Sequence, residues 1–236
     1  MPYTLIPAIE QRISTLLEVA RRVEREIASD KAKAKPKMTV TISREFGCEA
    51  YPMAEQLKKL LDAKTGETWA LMDKALLEEV SKNQNVTESI LQNLGEKGFV
   101  DEMIATLSPR WKSEKDHYRR LCQYIISLAN VGNVIIVGRG GAIVTQSMEN
   151  CYHFRMVAPL DFKIRSITKR LSIPHKEAEE LIQKRQLQRD AFINNFLNCD
   201  ASDPTHYHLV FNNAKSTTDK IAETILCYLV CMDGKT

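Results

Sequence analysis

The chain has 236 residues, 44% hydrophobic and 27% charged, which is the composition of an ordinary globular protein with one sizeable core and room for insertions. Its net charge of +3 resides in residues 1–37, where eight Lys/Arg face five Asp/Glu; the balanced remainder argues against a basic nucleic-acid-binding face. No run approaches the ~18 apolar residues of a membrane span, the N-terminus lacks the apolar core of a signal peptide, and the cysteines (Cys48, Cys122, Cys151, Cys199, Cys227 and Cys231) have no zinc-site spacing, so a cytoplasmic protein with reduced thiols and no membrane contact is expected.

At the N-terminus, Ile9, Ile13, Leu16, Ala20, Val23 and Ile27 recur at alternating intervals of four and three, an a/d seam on a helix. With fewer than three full heptads it is short for an independent coiled coil, so the arm either pairs with its copy in a homodimer through residues 9–27 or packs on its own body. Lys31 to Lys37, KAKAKPK, reads as a solvated linker in which Pro36 ends any helix. The folded domain is expected over 38–236.

From Met38 a short apolar strand, MTVTIS, runs into a turn at Gly47 and straight into an amphipathic helix marked by Leu57, Leu60 and Leu61. That layout suits phosphate binding, because the N–H groups of the turn and the positive end of the helix converge on one spot. The standard G-x-x-x-x-G-K-[ST] pattern is absent: Gly47 is the only glycine and no lysine with Ser/Thr follows it. A strand-to-helix turn that binds no nucleotide is therefore the competing reading. Pro52 is expected at the first helical position, where it removes one donor from the end facing an anion.

Further strands are predicted at 68–72, 133–137, 152–157 and 207–211, each separated from the next by helical pattern. Five strands with helical crossovers imply a parallel sheet covered on both faces. Asp73 can cap a helix over 74–82, Tyr118, Leu121, Ile125 and Leu128 line a long helix, and Thr217 or Thr218 can cap a last one near 219–231. The stretch 73–132 reads as a helical, charged insertion suited to an acceptor substrate. His206 and His208 alternate as on a strand, yet nothing completes a metal site around them or His153, and no residue is assigned as a metal ligand. Trp69 and Trp111 read as packing residues.

The segments TISREFG, LMDKALLEEV, VIIVGRGGAIV, FRMVAPLDFKIRSITKRL and DPTHYHLVFNN follow one another in the order and spacing of a nucleoside monophosphate kinase. Over about 38–230 the chain resembles the cytidylate kinase-like family of P-loop nucleotide kinases. The resemblance implies a P-loop NTPase-like three-layer α/β fold, here with a helical N-terminal arm added. It also implies transfer of the γ-phosphoryl of ATP, with Mg2+, to a nucleoside monophosphate such as CMP, beneath an arginine-rich lid.

Carried over by residue, Ser43, Arg44, Glu45, Phe46 and Gly47 match the family's S-R-E-F-G entry to the phosphate loop. Cys48, Glu49, Ala50 and Tyr51 stand where S-G-G-R is usual, so two glycines and a cation are lost. Ser43, Arg44, Gly47, Cys48, Glu49, Ala50, Lys163 and Arg170 are the expected phosphate and ATP contacts. Asp73, Lys74, Gly138, Arg139 and Gly140 are the expected acceptor site, with a plain N-cap as the competing role for Asp73. Arginine on a glycine turn can fork onto a phosphate, which makes Arg139 the leading binding residue. The lid is expected over 159–200, with Lys163, Arg165 and Arg170 on one helix and Lys184, Arg185 and Arg189 on the next. Arg139, Arg185 and Arg189 are the expected catalytic cations, neutralising charge on the transferring group. Gln186 replaces a common aspartate, and Ser166 stands where an arginine is common. Two functions follow: an ATP-dependent kinase, or a nucleotide-binding regulatory module that has lost transfer and assembles through its arm.

Overall fold

The apolar runs read from the sequence become five strands: β1 (Thr39–Arg44), β2 (Ala70–Met72), β3 (Val134–Val137), β4 (Cys151–Val157) and β5 (Leu209–Asn212). All pair in parallel in the order β2-β3-β1-β4-β5, so the first strand lies at the centre. This computed structural model describes residues 37–73, 75–76 and 116–234, together with Thr15 and Glu18. The expected seam over 9–27, the basic linker before Lys37, Lys74, Trp111 and most of the expected insertion lie outside the described residues.

Helices α1 (Ala50–Thr65) and α6 (Thr218–Asp233) cover one face of the sheet, and α2 (Asp116–Val131) and the short α3 (Gly141–Val144) the other. Strand periodicity of two sorts the side chains between these layers. Val40, Ile42, Ile135 and Val137 meet Leu57, Leu61 and Ile225 on the first face, while Val134 and Ile136 meet Leu121, Ile125 and Leu128 on the second. Trp69 is fully buried in the first layer, as a packing residue should be. Truncating a side chain such as Leu57 to Ala would cost about 2–5 kcal/mol in transfer and cavity terms. Among the described residues no helix is long and apolar enough to cross a membrane.

Strand ends differ from expectation by one or two residues for local reasons. β2 begins at Ala70 because the Trp69 N–H donates instead to Asp62 Oδ1 at 2.7 Å. β5 begins at Leu209 rather than 207, since Asp203 caps a single 3-10 turn over Pro204–His206. His206 and His208 therefore do not share a strand face. His206 Nε2 lies 3.0 Å from Cys199 Sγ, and His208 Nδ1 accepts the His153 N–H at 2.9 Å. Pro52 is the third residue of α1, not the first; no residue of the opening turn has an intrahelical carbonyl to reach, so its missing donor is tolerated there. Thr217, of the two threonines, caps α6, its hydroxyl accepting from Lys220 N at 3.4 Å.

Two further helices, α4 (Leu160–Leu171) and α5 (His175–Leu197), occupy the region expected to form the lid. Ser172 in the left-handed region ends α4 and Pro174 opens α5. Ile164, Ile167, Ala178 and Ile182 join them to each other, and Ile193 and Leu197 dock the far end of α5 on the α2 layer. The middle of α5 is thereby held over the carboxyl ends of β1, β3 and β4.

Candidate functional site

At those carboxyl ends the chain leaves β3 through Gly138, Arg139 and Gly140, all with positive φ (83°, 56° and 72°). Glycine is required at 138 because a Cβ there would lie 1.8 Å from Arg44 Nη1. The turn thus lets one guanidinium lie against the backbone that carries another. Arg139 itself is a non-glycine in the left-handed region, a conformation that costs about 1–3 kcal/mol and is kept where its surroundings fix it. Arg139 Cζ lies 5.1 Å from the Phe192 ring centroid, and its carbonyl accepts from Tyr118 Oη at 3.3 Å.

The turn forms one wall of a cavity of about 480 Å3 between the strand ends and α4 and α5. Six arginines line it (Arg44, Arg139, Arg155, Arg170, Arg185 and Arg189), against one carboxylate, Asp190, among the described residues. The crowding has an electrostatic signature. Burial first, then Arg189 and Arg139, pushes the Arg44 guanidinium down to about 9; burial, then Arg170, pushes Arg189 down to about 10. Guanidinium stays protonated in proteins, so these shifts express first the cost of burying the charge and then mutual repulsion, both of which a bound anion would offset.

The floor is built differently. Arg155, only 5% exposed, projects from the middle of β4 and donates through Nη1 to Ser43 Oγ at 3.1 Å. Its Cζ stands 5.6 Å from the Tyr207 ring centroid, and Tyr207 Oη lies 3.1 Å from the same Ser43 Oγ. Beside it, Thr41 Oγ1 and His153 Nδ1 share a hydrogen bond of 2.8 Å. Burial, then His208 and His206, pushes the His153 imidazole down to about 4, so the floor is neutral at pH 7 apart from Arg155.

The phosphate-loop region, Glu45 to Ala50, follows the β1 end; Phe46 lines the cavity, and several of the loop's polar groups are engaged by the chain itself. Phe46 N donates to Gln186 Oε1 and Glu49 N to Asn213 Oδ1, each at 2.8 Å. Cys48 N donates to Glu45 O at 3.4 Å. Lys163 Nζ pairs with Glu45 Oε2 at 2.9 Å, and the same oxygen accepts from Ala158 N. The stem of Lys163 lies over the loop so closely that a Cβ on Gly47 would stand 2.6 Å from it. The Phe46 ring carries Arg189, whose Cζ is 5.0 Å from its centroid. Burial, then Glu45, raises the Cys48 thiol to about 11, which leaves it uncharged and a poor nucleophile at neutral pH.

A cytidylate kinase-like family model matches residues 39–215. The chain belongs to the cytidylate kinase-like family. Its fold also resembles the crystal structure of an uncharacterized protein from Eubacterium ventriosum ATCC 27560, at TM-score 0.67 and 21% identity, over 83% of this chain and 99% of that one. The crystal structure of TT1252 from Thermus thermophilus aligns over the same shares at TM-score 0.43 and 14% identity. Among curated proteins, none matches. Membership supports a nucleotide-binding, kinase-like chain; the details of chemistry rest on the site itself.

Within this family member, the cavity brings together Ser43, Arg44, Gly138, Arg139, Gly140, Arg170, Arg185 and Arg189 from the sequence-based expectation. Gly47, Cys48, Glu49, Ala50 and Lys163 do not line it. Asp73 Oδ1 accepts from Leu76 N at 3.0 Å, as an N-cap does, while its charge also faces Arg44. Arg165 is exposed on α4, and Ser166 Oγ faces Glu49 Oε1 at 3.5 Å. Sequence reasoning passed over Arg155, Tyr207 and Phe192. Arg155 had a signal: it is the one charged residue within the otherwise uncharged run YHFRMV of a doubly covered strand.

Among the described residues, the carboxylates near the loop and the strand ends are engaged by protein groups. Glu45 is engaged by Lys163 and Ala158 N, Glu49 by Ser166, and Asp73 by Leu76 N. No group of three or more His, Cys, Asp or Glu among the described residues could hold a metal ion.

Proposed function

We propose that this protein binds a nucleotide by its phosphates in the arginine-lined cavity and transfers the γ-phosphoryl of Mg·ATP to a nucleoside monophosphate, with CMP-like acceptors preferred. The observation that carries this reading is the gathering of six arginines at the carboxyl edge of β1, β3 and β4, where open α/β sheets bind ligands. Phosphoryl transfer needs little covalent help from the protein. It needs the reactants in line, and positive charge where the equatorial oxygens develop negative charge. Arg139 would fix the acceptor end, with Arg185 and Arg189 closing from α5 as the catalytic cations. Magnesium enters with ATP as part of the co-substrate.

One observation favours a second reading. The loop that usually seats the donor phosphates has two of its N–H groups, those of Phe46 and Glu49, taken by Gln186 and Asn213, as a nucleotide-binding module without transfer would tolerate. Incubation with Mg·ATP and a panel of nucleoside monophosphates, followed by diphosphate detection, separates the two. The kinase reading expects one or two acceptors to be converted, and Arg139→Ala to weaken the acceptor at least tenfold more than ATP. Absence of transfer with nucleotide binding intact would establish the module; equal loss of both ligands would displace Arg139 from the acceptor site.

A further inference from the structure

The two candidate anion sites at this strand edge differ in how far their donors are already used. In the loop, Phe46 N, Cys48 N and Glu49 N already donate within the protein, position 52 is proline, and Lys163 is held by Glu45. In the cavity, Arg155 is 95% buried, yet among the described residues its one side-chain hydrogen bond is from Nη1–H to Ser43, which leaves most of its five N–H donors for a ligand. Among the described residues, Arg44, Arg155, Arg170, Arg185 and Arg189 make no ion pair. A monophosphate brings about two negative charges. Against six guanidiniums and one lining carboxylate, that leaves most of the repulsion in place.

We propose that the polyphosphate chain of the nucleotide is held by the cavity arginines and not by the amides of the phosphate loop, so that this site selects ligands with two or more linked phosphates over monophosphates. Arg155 and Ser43 hold one phosphate on the floor. Arg44 and Arg189 hold the next, Arg139 on the β3 turn is left to the acceptor, and Arg170 and Arg185 meet the chain at the rim. The inference rests on the reading that the cavity binds a nucleotide by its phosphates, and specifies which phosphates and which groups.

The test is calorimetry on the full chain without magnesium, using inorganic tripolyphosphate, orthophosphate, CMP and ATP. Tripolyphosphate and ATP are expected to bind at least 30-fold more tightly than orthophosphate and CMP. Arg155→Gln should weaken tripolyphosphate at least tenfold, and Asn213→Ala, which frees Glu49 N, should change it less than threefold. If Arg155→Gln fails to fold, Arg185→Gln on the exposed face of α5 should still weaken tripolyphosphate threefold or more. CMP binding as tightly as tripolyphosphate would overturn this inference and leave the nucleotide reading standing. Binding of none of the four would overturn both. A tenfold gain on freeing Glu49 N would return the phosphates to the loop.

Discussion

The cavity and the phosphate loop flank the same strand end, yet they spend their polar groups in opposite ways. On the cavity side, cations from five segments converge with one lining carboxylate among them, and burial with mutual repulsion lowers Arg44 and Arg189. On the loop side, the amides of Phe46, Cys48 and Glu49, together with Lys163 and Glu45, find partners within the chain. The position of a turn at the carboxyl edge of a sheet does not by itself make an anion site. What decides is whether the donors aimed there are still available.

Arg189 offers the largest test, because it belongs to both regions: it lines the cavity, covers Phe46 and donates to Arg44 O at 3.4 Å. Arg189→Ala should cost about 2–3 kcal/mol of tripolyphosphate binding, roughly 30- to 150-fold by calorimetry, since hydrogen bonds to charged groups are worth about that much. A loss below threefold would mean that the cationic wall is only a solvated helix face.

The contrast within the cavity, between charged wall and neutral floor, is tested by pH. His153 has a folded pKa of about 4 against the ordinary imidazole value of 6.5, so the unfolded chain binds more protons between those values. Stability from the neutral imidazole is therefore fully present above pH 6.5 and is lost as pH falls towards 4. Between pH 7 and pH 5 the loss is about 2 kcal/mol, which corresponds to roughly 4–8 °C in Tm for a chain of this size. The lowered His208 adds in the same direction. His153→Gln should flatten the slope of Tm against pH; an unchanged slope would place the titration elsewhere.

The sheet was legible in the sequence because doubly covered parallel strands are short apolar runs bounded by turn residues, and MTVTIS, NVIIV and YHFRMV each satisfy that pattern. The arginines on Gly138–Gly140 and on α5 were legible for a similar reason, as cations at fixed places on recognisable elements. The state of the loop was not. That Glu45 captures Lys163, 118 residues away, and that Gln186 and Asn213 reach Phe46 N and Glu49 N depends on how α4, α5 and the end of β5 pack around β1. Arg155 was hidden by its strand, where a charged residue reads as a defect until the open side is known.

Lys163 sets the sequence-based expectation directly against its place in the fold. As a phosphate ligand, its loss would weaken tripolyphosphate at least tenfold. Held by Glu45, with the two side chains 14% and 25% exposed, it should instead act on stability. Lys163→Met is expected to lower stability by about 1–2 kcal/mol, between the worth of exposed and buried pairs. Affinity should stay within threefold. Thermal melts and calorimetry on the same preparation decide it.

The smallest effect is expected where a common family residue is restored. Gln186 accepts from Phe46 N and donates through Nε2 to Asp190 Oδ1 at 2.8 Å, so it links the closed loop to the cavity rim. Gln186→Asp shortens the side chain, removes the amide donor and sets two carboxylates one helical turn apart, a repulsion of about 0.2–0.5 kcal/mol. Tripolyphosphate affinity should fall two- to threefold, because a negative charge now faces the arginines. A clear gain in affinity instead would mean that the released Phe46 N–H reaches the ligand, and the division between closed loop and open cavity would be a single adaptable site.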